Sequence, residues 1–352
     1  MRNEFDKIVE HIPGVLFAMT IAFLGFAVWT QYKPISSLMW SFIFGILISN
    51  IFRIPENIQT GLKFTSGWLL KFTIALLGLV TSASVWFEVG IGALNALVII
   101  FVSFIMSITL GRRLGLSNRL AILIGVGTSI CGASAIAATA PAIQAKEEEI
   151  GIAISGITLF GLISMFLYPY LFTNTVVYNW LLGNPIVYAI WVGSGVHESA
   201  QVIAAACTLS PDCLQPALII KSIRIFMIAP IVLASTFFLN RFESNETNLT
   251  AKVAAPLFAI VFLVNSLICA GLNTITVNNP FLYTPWMWLQ TALKSSLIPF
   301  LLAIAFAGVG SKVKFREIAK LGLKPFGFAA LMSIIAGVLA LGMAIFIAPY
   351  IA

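Results

Sequence analysis

Gly127-Thr128-Ser129-Ile130-Cys131-Gly132-Ala133-Ser134-Ala135-Ile136-Ala137-Ala138 and Gly193-Ser194-Gly195-Val196-His197-Glu198-Ser199-Ala200-Gln201-Val202-Ile203-Ala204 read as two copies of one device. Each sets small and hydroxyl-bearing residues, with a non-helical break, inside otherwise apolar sequence. A broken helix that occurs twice is the best sequence pointer to the binding site of a secondary transporter. The second copy also carries a His-Glu pair, His197-Glu198.

The surrounding chain is 60% hydrophobic and 9% charged, against about 25% charged residues in a soluble domain. It reads as one polytopic membrane domain over residues 1–352. The net charge of +7 comes with no basic run interleaved with aromatics, so nucleic-acid binding is not implied. The charge reads instead as loop charge that sets orientation. The charged start, Met1 to His11, leads into an apolar run without a small-residue cleavage site, so no cleaved signal peptide is expected. Cys131, Cys207, Cys213 and Cys269 show no metal-type spacing; three of them lie in or beside apolar segments and read as small buried hydrophobes, with a Cys207–Cys213 disulfide left open.

A spanning helix needs about 20 mainly apolar residues. Eleven segments come close: 13–30, 35–52, 64–86, 89–110, 120–143, 150–171, 184–207, 216–240, 253–271, 286–309 and 325–350. Pro34, Pro55, Pro216, Pro285 and Pro325 punctuate the joints. Arg112, Arg113 and Arg119 mark one cytoplasmic loop, and Lys312, Lys314, Arg316, Lys320 and Lys324 another. Arg53 with Lys63, and Arg241 with Lys252, mark two more, whereas the loops 172–183 and 272–285 carry no charge and read as outside. Segment 120–143 must then return to the cytoplasmic side before 150–171 can end outside. Segment 184–207 likewise begins and ends outside. Each is therefore expected to be a re-entrant hairpin, whose half-segments of about 8–11 residues reach roughly half-way into the bilayer. The expected fold is an all-α membrane protein of about nine spanning helices plus two hairpins. Its N-terminus would be cytoplasmic and its C-terminus outside.

The register that carries Gly127 onto Gly193 also carries Ala153-Ile154 onto Ile219-Ile220 and Leu159-Phe160 onto Ile225-Phe226. Residues 120–171 and 184–240 thus form inverted core repeats, flanked by scaffold segments 13–110 and 253–350 that offer a surface for a homodimer. A weaker echo pairs Phe72 to Phe87 with Phe300 to Phe315.

Ionisable residues within membrane segments usually face a polar cavity. Here they are Lys71, His197, Glu198, Lys221, Arg224 and Lys294. Most are basic, which favours an anionic substrate. Lys221 and Arg224 share one helix face, whereas Lys71 and Lys294 can snorkel to an interface. Each second half-helix starts at mid-membrane, near Ala133 and near Ser199, with unpaired N–H groups and the positive end of its dipole. Two such ends meeting would cradle an oxyanion. The substrate-binding residues are then Thr128, Ser129, Cys131, Gly132, Ser134, Ser194, Gly195, Ser199, Lys221 and Arg224, with His197 and Glu198 coupling protons. No cofactor or metal is implied. An enzyme is not expected: His197-Glu198-Ser199-Ala200-Gln201 starts like a zincin motif but has Gln201 where the second His is required, and no Walker A sequence occurs. The Asn248-Leu249-Thr250 sequon falls in a cytoplasmic loop.

The first string, followed by Ala140-Pro141 and Glu148-Glu149-Ile150, resembles the YeiH-like sulfate exporter family, as do the second string and Lys221-Ser222-Ile223-Arg224. The resemblance covers nearly the whole chain. It implies a bacterial inner-membrane protein of about ten or eleven transmembrane segments that exports sulfate or a related sulfur oxyanion. The residues support a proton-coupled secondary transporter of a small oxyanion. A passive anion channel and a Na⁺-coupled carrier using hairpin carbonyls, Thr128, Ser129 and Glu198 are the alternatives.

Overall fold

The computed structural model describes residues 4–32, 35–242, 256–277, 279–319 and 322–351. Pro34, Lys252, Lys320 and the Asn248-Leu249-Thr250 sequon lie outside the described residues. The helices are α1 (Glu4–Gln31), α2 (Ser37–Ile51), α3 (Glu56–Phe64), α4 (Leu70–Leu77), α5 (Ala83–Val89), α6 (Gly92–Arg113), α7 (Asn118–Ser129), α8 (Ala133–Thr139), α9 (Glu147–Asn174) and α10 (Val177–Trp180). They continue with α11 (Pro185–Gly195), α12 (Ser199–Leu209), α13 (Leu214–Phe226), α14 (Ile228–Phe242), α15 (Leu257–Val277), α16 (Pro280–Ala292), α17 (Ile298–Lys312), α18 (Phe315–Ile318) and α19 (Leu323–Ile347). Among the described residues there is no strand, and the protein is all-α.

Among the described residues, eight helical stretches are long and apolar enough to cross a bilayer. The expected span over 35–52 is the shorter α2, of 15 residues. It covers about 22 Å against a hydrocarbon core of about 30 Å.

The chain divides into two compact units, Met1–Ser84 with Leu257–Phe315, and Val85–Pro256 with Arg316–Ala352. In the first, α2 packs along α17 and α15 along α4. Small residues allow this approach: Gly45 lies against the Ala307 carbonyl and Gly310 against that of Phe42. A π-turn at Thr65–Leu69 joins α3 to α4, and a second at Leu293–Leu297 joins α16 to α17. The register that carries Thr65 onto Leu293 also carries Phe72 onto Phe300, so the weaker sequence echo coincides with a repeated backbone irregularity.

The second unit contains both expected hairpins. The Arg119 Nε, at the start of α7, donates to the Ile143 carbonyl beyond α8 at 3.1 Å. In the second copy the Tyr188 hydroxyl on α11 donates to the Ala205 carbonyl on α12 at 2.9 Å. A straight helix would hold either pair some 25–35 Å apart, so both segments fold back on themselves. The helix α9 relates the two hairpins. It has 28 residues and is about 42 Å long. The first hairpin is anchored at its N-terminal end, where the Ser117 hydroxyl donates to Glu149 at 2.5 Å. The second is anchored at its C-terminal end, where the rings of Phe172 and Tyr188 are 4.7 Å apart. The second tip reaches Thr158, near the middle of α9, whose hydroxyl donates to Glu198 at 3.2 Å, and Gly132 of the first tip lies against the same Glu198 side chain. The hairpins therefore enter from opposite ends.

Candidate functional site

Each hairpin has a first arm whose C-terminal end is buried at the tip and a second arm that starts there. Ser117 caps α7 through the Leu120 amide, and Asn184 caps α11 through the Ile186 amide, with Pro185 in the first helical turn. These caps are at the hairpin bases. At the tips α7 stops at Ser129 and α11 at Gly195, while α8 restarts at Ala133 and α12 at Ser199. The turn in the first copy passes through Gly132, whose φ of 71° favours a residue without a side chain. The Glu198 side chain packs against this glycine, so a Cβ there would collide with it.

The first arms end in orphan carbonyls and the negative end of a helix dipole. Lys221 and Arg224, both on α13, occupy those carbonyls. The Arg224 guanidinium donates from Nε to Ser129 at 3.0 Å and from Nη2 to Thr128 at 2.5 Å on the first hairpin. From Nη1 it donates to Gly193, Ser194 and Val196 on the second, at 3.0, 2.6 and 2.9 Å. The Lys221 ammonium donates to Ile130 at 2.8 Å, to Val196 at 3.0 Å and to His197. Both cations are fully enclosed. One helix face thus clamps both tips, and these cations sit behind the tips with their hydrogen bonds directed to backbone.

The remaining expected site residues divide by accessibility. Thr128, Ser129, Ser194 and His197 have no exposed surface and Gly195 is buried. The Thr128 and Ser194 hydroxyls and both His197 ring nitrogens are buried without a hydrogen-bond partner. Cys131 is buried, with its Sγ 2.9 Å from the Ser134 hydroxyl, and Ser134 is exposed. Glu198 and Ser199 are half-buried. The accessible side of the site is therefore formed by the starts of α8 and α12, with Ser134, Glu198 and Ser199.

Glu198 holds a defined position there. It is the N-cap of α12 in a reciprocal capping box, its carboxylate accepting from the Gln201 amide while the Gln201 side chain accepts from the Glu198 amide at 3.0 Å. Gln201 also donates to the Thr158 carbonyl at 3.2 Å. Thr158 and Gln201 were not among the residues expected to form the site. The Glu198-to-Gln201 spacing of a capping box was a signal for the second. Nothing in the sequence marked Thr158, which reaches the tip only because α9 runs past it. Outside this unit, Lys71 and Lys294 are exposed, with Lys71 Nζ 6.0 Å from the Phe258 ring centroid. Cys207 and Cys213 are free thiols.

The profile of the family described as conserved hypothetical protein 698 matches residues 13–329. The chain belongs to the UPF0324 family of membrane proteins. A UPF0324 membrane protein of Pseudomonas aeruginosa is 33% identical over 93% of this chain and 91% of its own length. A Yersinia pestis member is 30% identical over 94% and 91%. The UPF0324 inner membrane protein YeiH of Escherichia coli K12 is 29% identical over 94% and 93%.

Proposed function

We propose that this UPF0324 protein is a secondary transporter of a small oxyanion of the sulfate or sulfite class, with Glu198 as its proton carrier. The observation that carries this reading is the enclosure of Lys221 and Arg224 behind two tips whose accessible side bears Glu198. The four helix ends at the tips each contribute about half an elementary charge, two of each sign, and cancel. The two cations and Glu198 then leave about one positive charge, or about two when Glu198 is protonated. In a low-dielectric setting that balance attracts an anion.

Glu198 also explains coupling. Its carboxylate caps the α12 N-terminus, the N–H group an incoming oxyanion would use. Protonation weakens that cap and opens the cradle, so anion binding is linked to proton uptake. His197 is enclosed, which leaves proton exchange with water to the half-buried Glu198. A Na⁺ site built from tip carbonyls is less well supported, because the Thr128, Ser129, Ile130, Gly193, Ser194, Val196 and His197 carbonyls already accept from Lys221 and Arg224.

The test is labelled sulfate and sulfite flux into proteoliposomes with and without an imposed pH gradient. Accumulation driven by the gradient supports the proposal. Flux that never exceeds equilibration would make the protein a channel, and no flux or binding of either anion would remove the oxyanion reading.

A further inference from the structure

The first unit holds a second basic centre, separate from the hairpins. A cavity of about 330 Å³ is lined by Ser49, Phe52, Arg53, Ile54, Gln59, Leu62, Lys63, Ser311, Lys312 and Lys314. That volume is at the lower end for small-molecule sites. Its lining contains four cations and no carboxylate. Glu56, at the start of α3, and Glu317, on α18, are the acids nearest to these cations in sequence, and neither is part of the lining.

The cavity is built rather than incidental. Asn50 ties the end of α2 to the end of α17, donating to the Val313 carbonyl at 2.7 Å and accepting from the Phe315 amide at 2.9 Å. This brings together two basic loops that are far apart in sequence. Lys314 is fixed by donation to the Ser49 carbonyl at 2.9 Å, and partial burial lowers its pKa from the ordinary lysine value. The Gln59 amide is held by the Ile54 carbonyl at 2.7 Å. Arg53 and Lys63 are exposed at the rim. The loop-orientation rule accounts for basic residues on one side of a membrane. It does not account for their convergence on one acid-free cavity.

We propose that this cavity binds a phosphate-type oxyanion, and that its natural source is the phosphodiester headgroup of an anionic lipid. The neighbouring surface favours the lipid over a free anion: Phe52, in the lining, and Ile51, next to it in sequence, are 65% and 69% exposed. Large apolar side chains next to converging Lys and Arg match the boundary between acyl chains and headgroups. Basic pockets between transmembrane helices bind lipid headgroups in this way.

The probe is native mass spectrometry of the detergent-purified full chain with phosphatidylglycerol, cardiolipin or phosphatidylcholine, alongside titration with inorganic phosphate. Wild type should retain the anionic lipids and not phosphatidylcholine. Arg53→Gln with Lys63→Gln should weaken retention by roughly 30-fold, at about a kcal/mol for each basic residue near the surface. Arg53→Lys with Lys63→Arg keeps the charge, and hence the sidedness, and should restore binding. Saturable phosphate binding that is lost in the double variant, without lipid selectivity, would keep the oxyanion site and assign it to a soluble ion. Equal retention of all three lipids together with no phosphate binding, or double-variant binding equal to wild type, would overturn the proposal.

Discussion

Arg224 shows what a buried cation does when its partners are carbonyls. Its guanidinium bonds five carbonyls on two hairpins, and its planar donor set reaches both tips at once. Arg224→Ala is therefore expected to destabilise the protein by at least about 3 kcal/mol, because it leaves several buried carbonyls without a donor, at about 1–3 kcal/mol for each. Arg224→Lys should fall between the two, since an ammonium has three N–H groups to offer five acceptors. Thermal unfolding in detergent measures both. An unfolding midpoint unchanged in Arg224→Ala, with oxyanion affinity lost, would make Arg224 a ligand and not a clamp. Gly132 makes a second residue-level prediction. At φ 71° and ψ −133° an alanine costs on the order of 1–3 kcal/mol of backbone strain, and its Cβ would also displace Glu198. Gly132→Ala should lower the unfolding midpoint and abolish any proton dependence of anion binding. Thermal scans and binding isotherms at two pH values are the check, and a variant that matches wild type in both would refute the contact.

The hairpins belong to the scale of elements. Much of this level was legible in the sequence, because a half-helix is marked by where small residues interrupt an apolar run and by which loops carry Lys and Arg. The breaks after Ser129 and Gly195 fall at equivalent places in the two quoted strings, and both segments fold back. What the sequence did not show were the contacts that hold them. The carbonyls taken by Lys221 and Arg224 carry no residue signature, so those cations looked available for substrate. The π-turns at Thr65–Leu69 and Leu293–Leu297 were also hidden, because a single extra residue in a helix leaves hydrophobicity nearly unchanged. The fold-back can be tested by topology. In a background without native cysteines, Ser117→Cys and Gln144→Cys should react with a membrane-impermeant maleimide from the same face. Leu182→Cys and Asp212→Cys should react from the opposite face; all four positions are largely exposed. Labelling of Ser117 and Gln144 from different faces would turn the first hairpin into a span.

At the scale of the whole molecule, each unit contains both copies of one repeated piece. The π-turn helices and their partners α2 and α15 lie in the first, and the hairpins with α9 and α13 lie in the second. The duplication thus builds two centres of different chemistry: an acid-free basic cavity, and a pair of tips where two cations face one carboxylate. Of these two centres the tips hold the carboxylate, so oxyanion binding there should respond to acid. As pH falls Glu198 gains a proton, the local balance rises from about one positive charge to about two, and oxyanion affinity should increase. By linkage, anion binding should draw protons from solution. Glu198→Gln keeps an oxygen to cap α12 while removing the charge, so it should bind the anion at neutral pH about as well as acidified wild type and lose most of the pH dependence. Isothermal titration in two buffers of different ionisation enthalpy counts the protons directly. Uptake of close to one proton per anion in wild type and close to none in the variant is the expected result. Equal uptake in both would assign the coupling to another group and remove Glu198 from the mechanism.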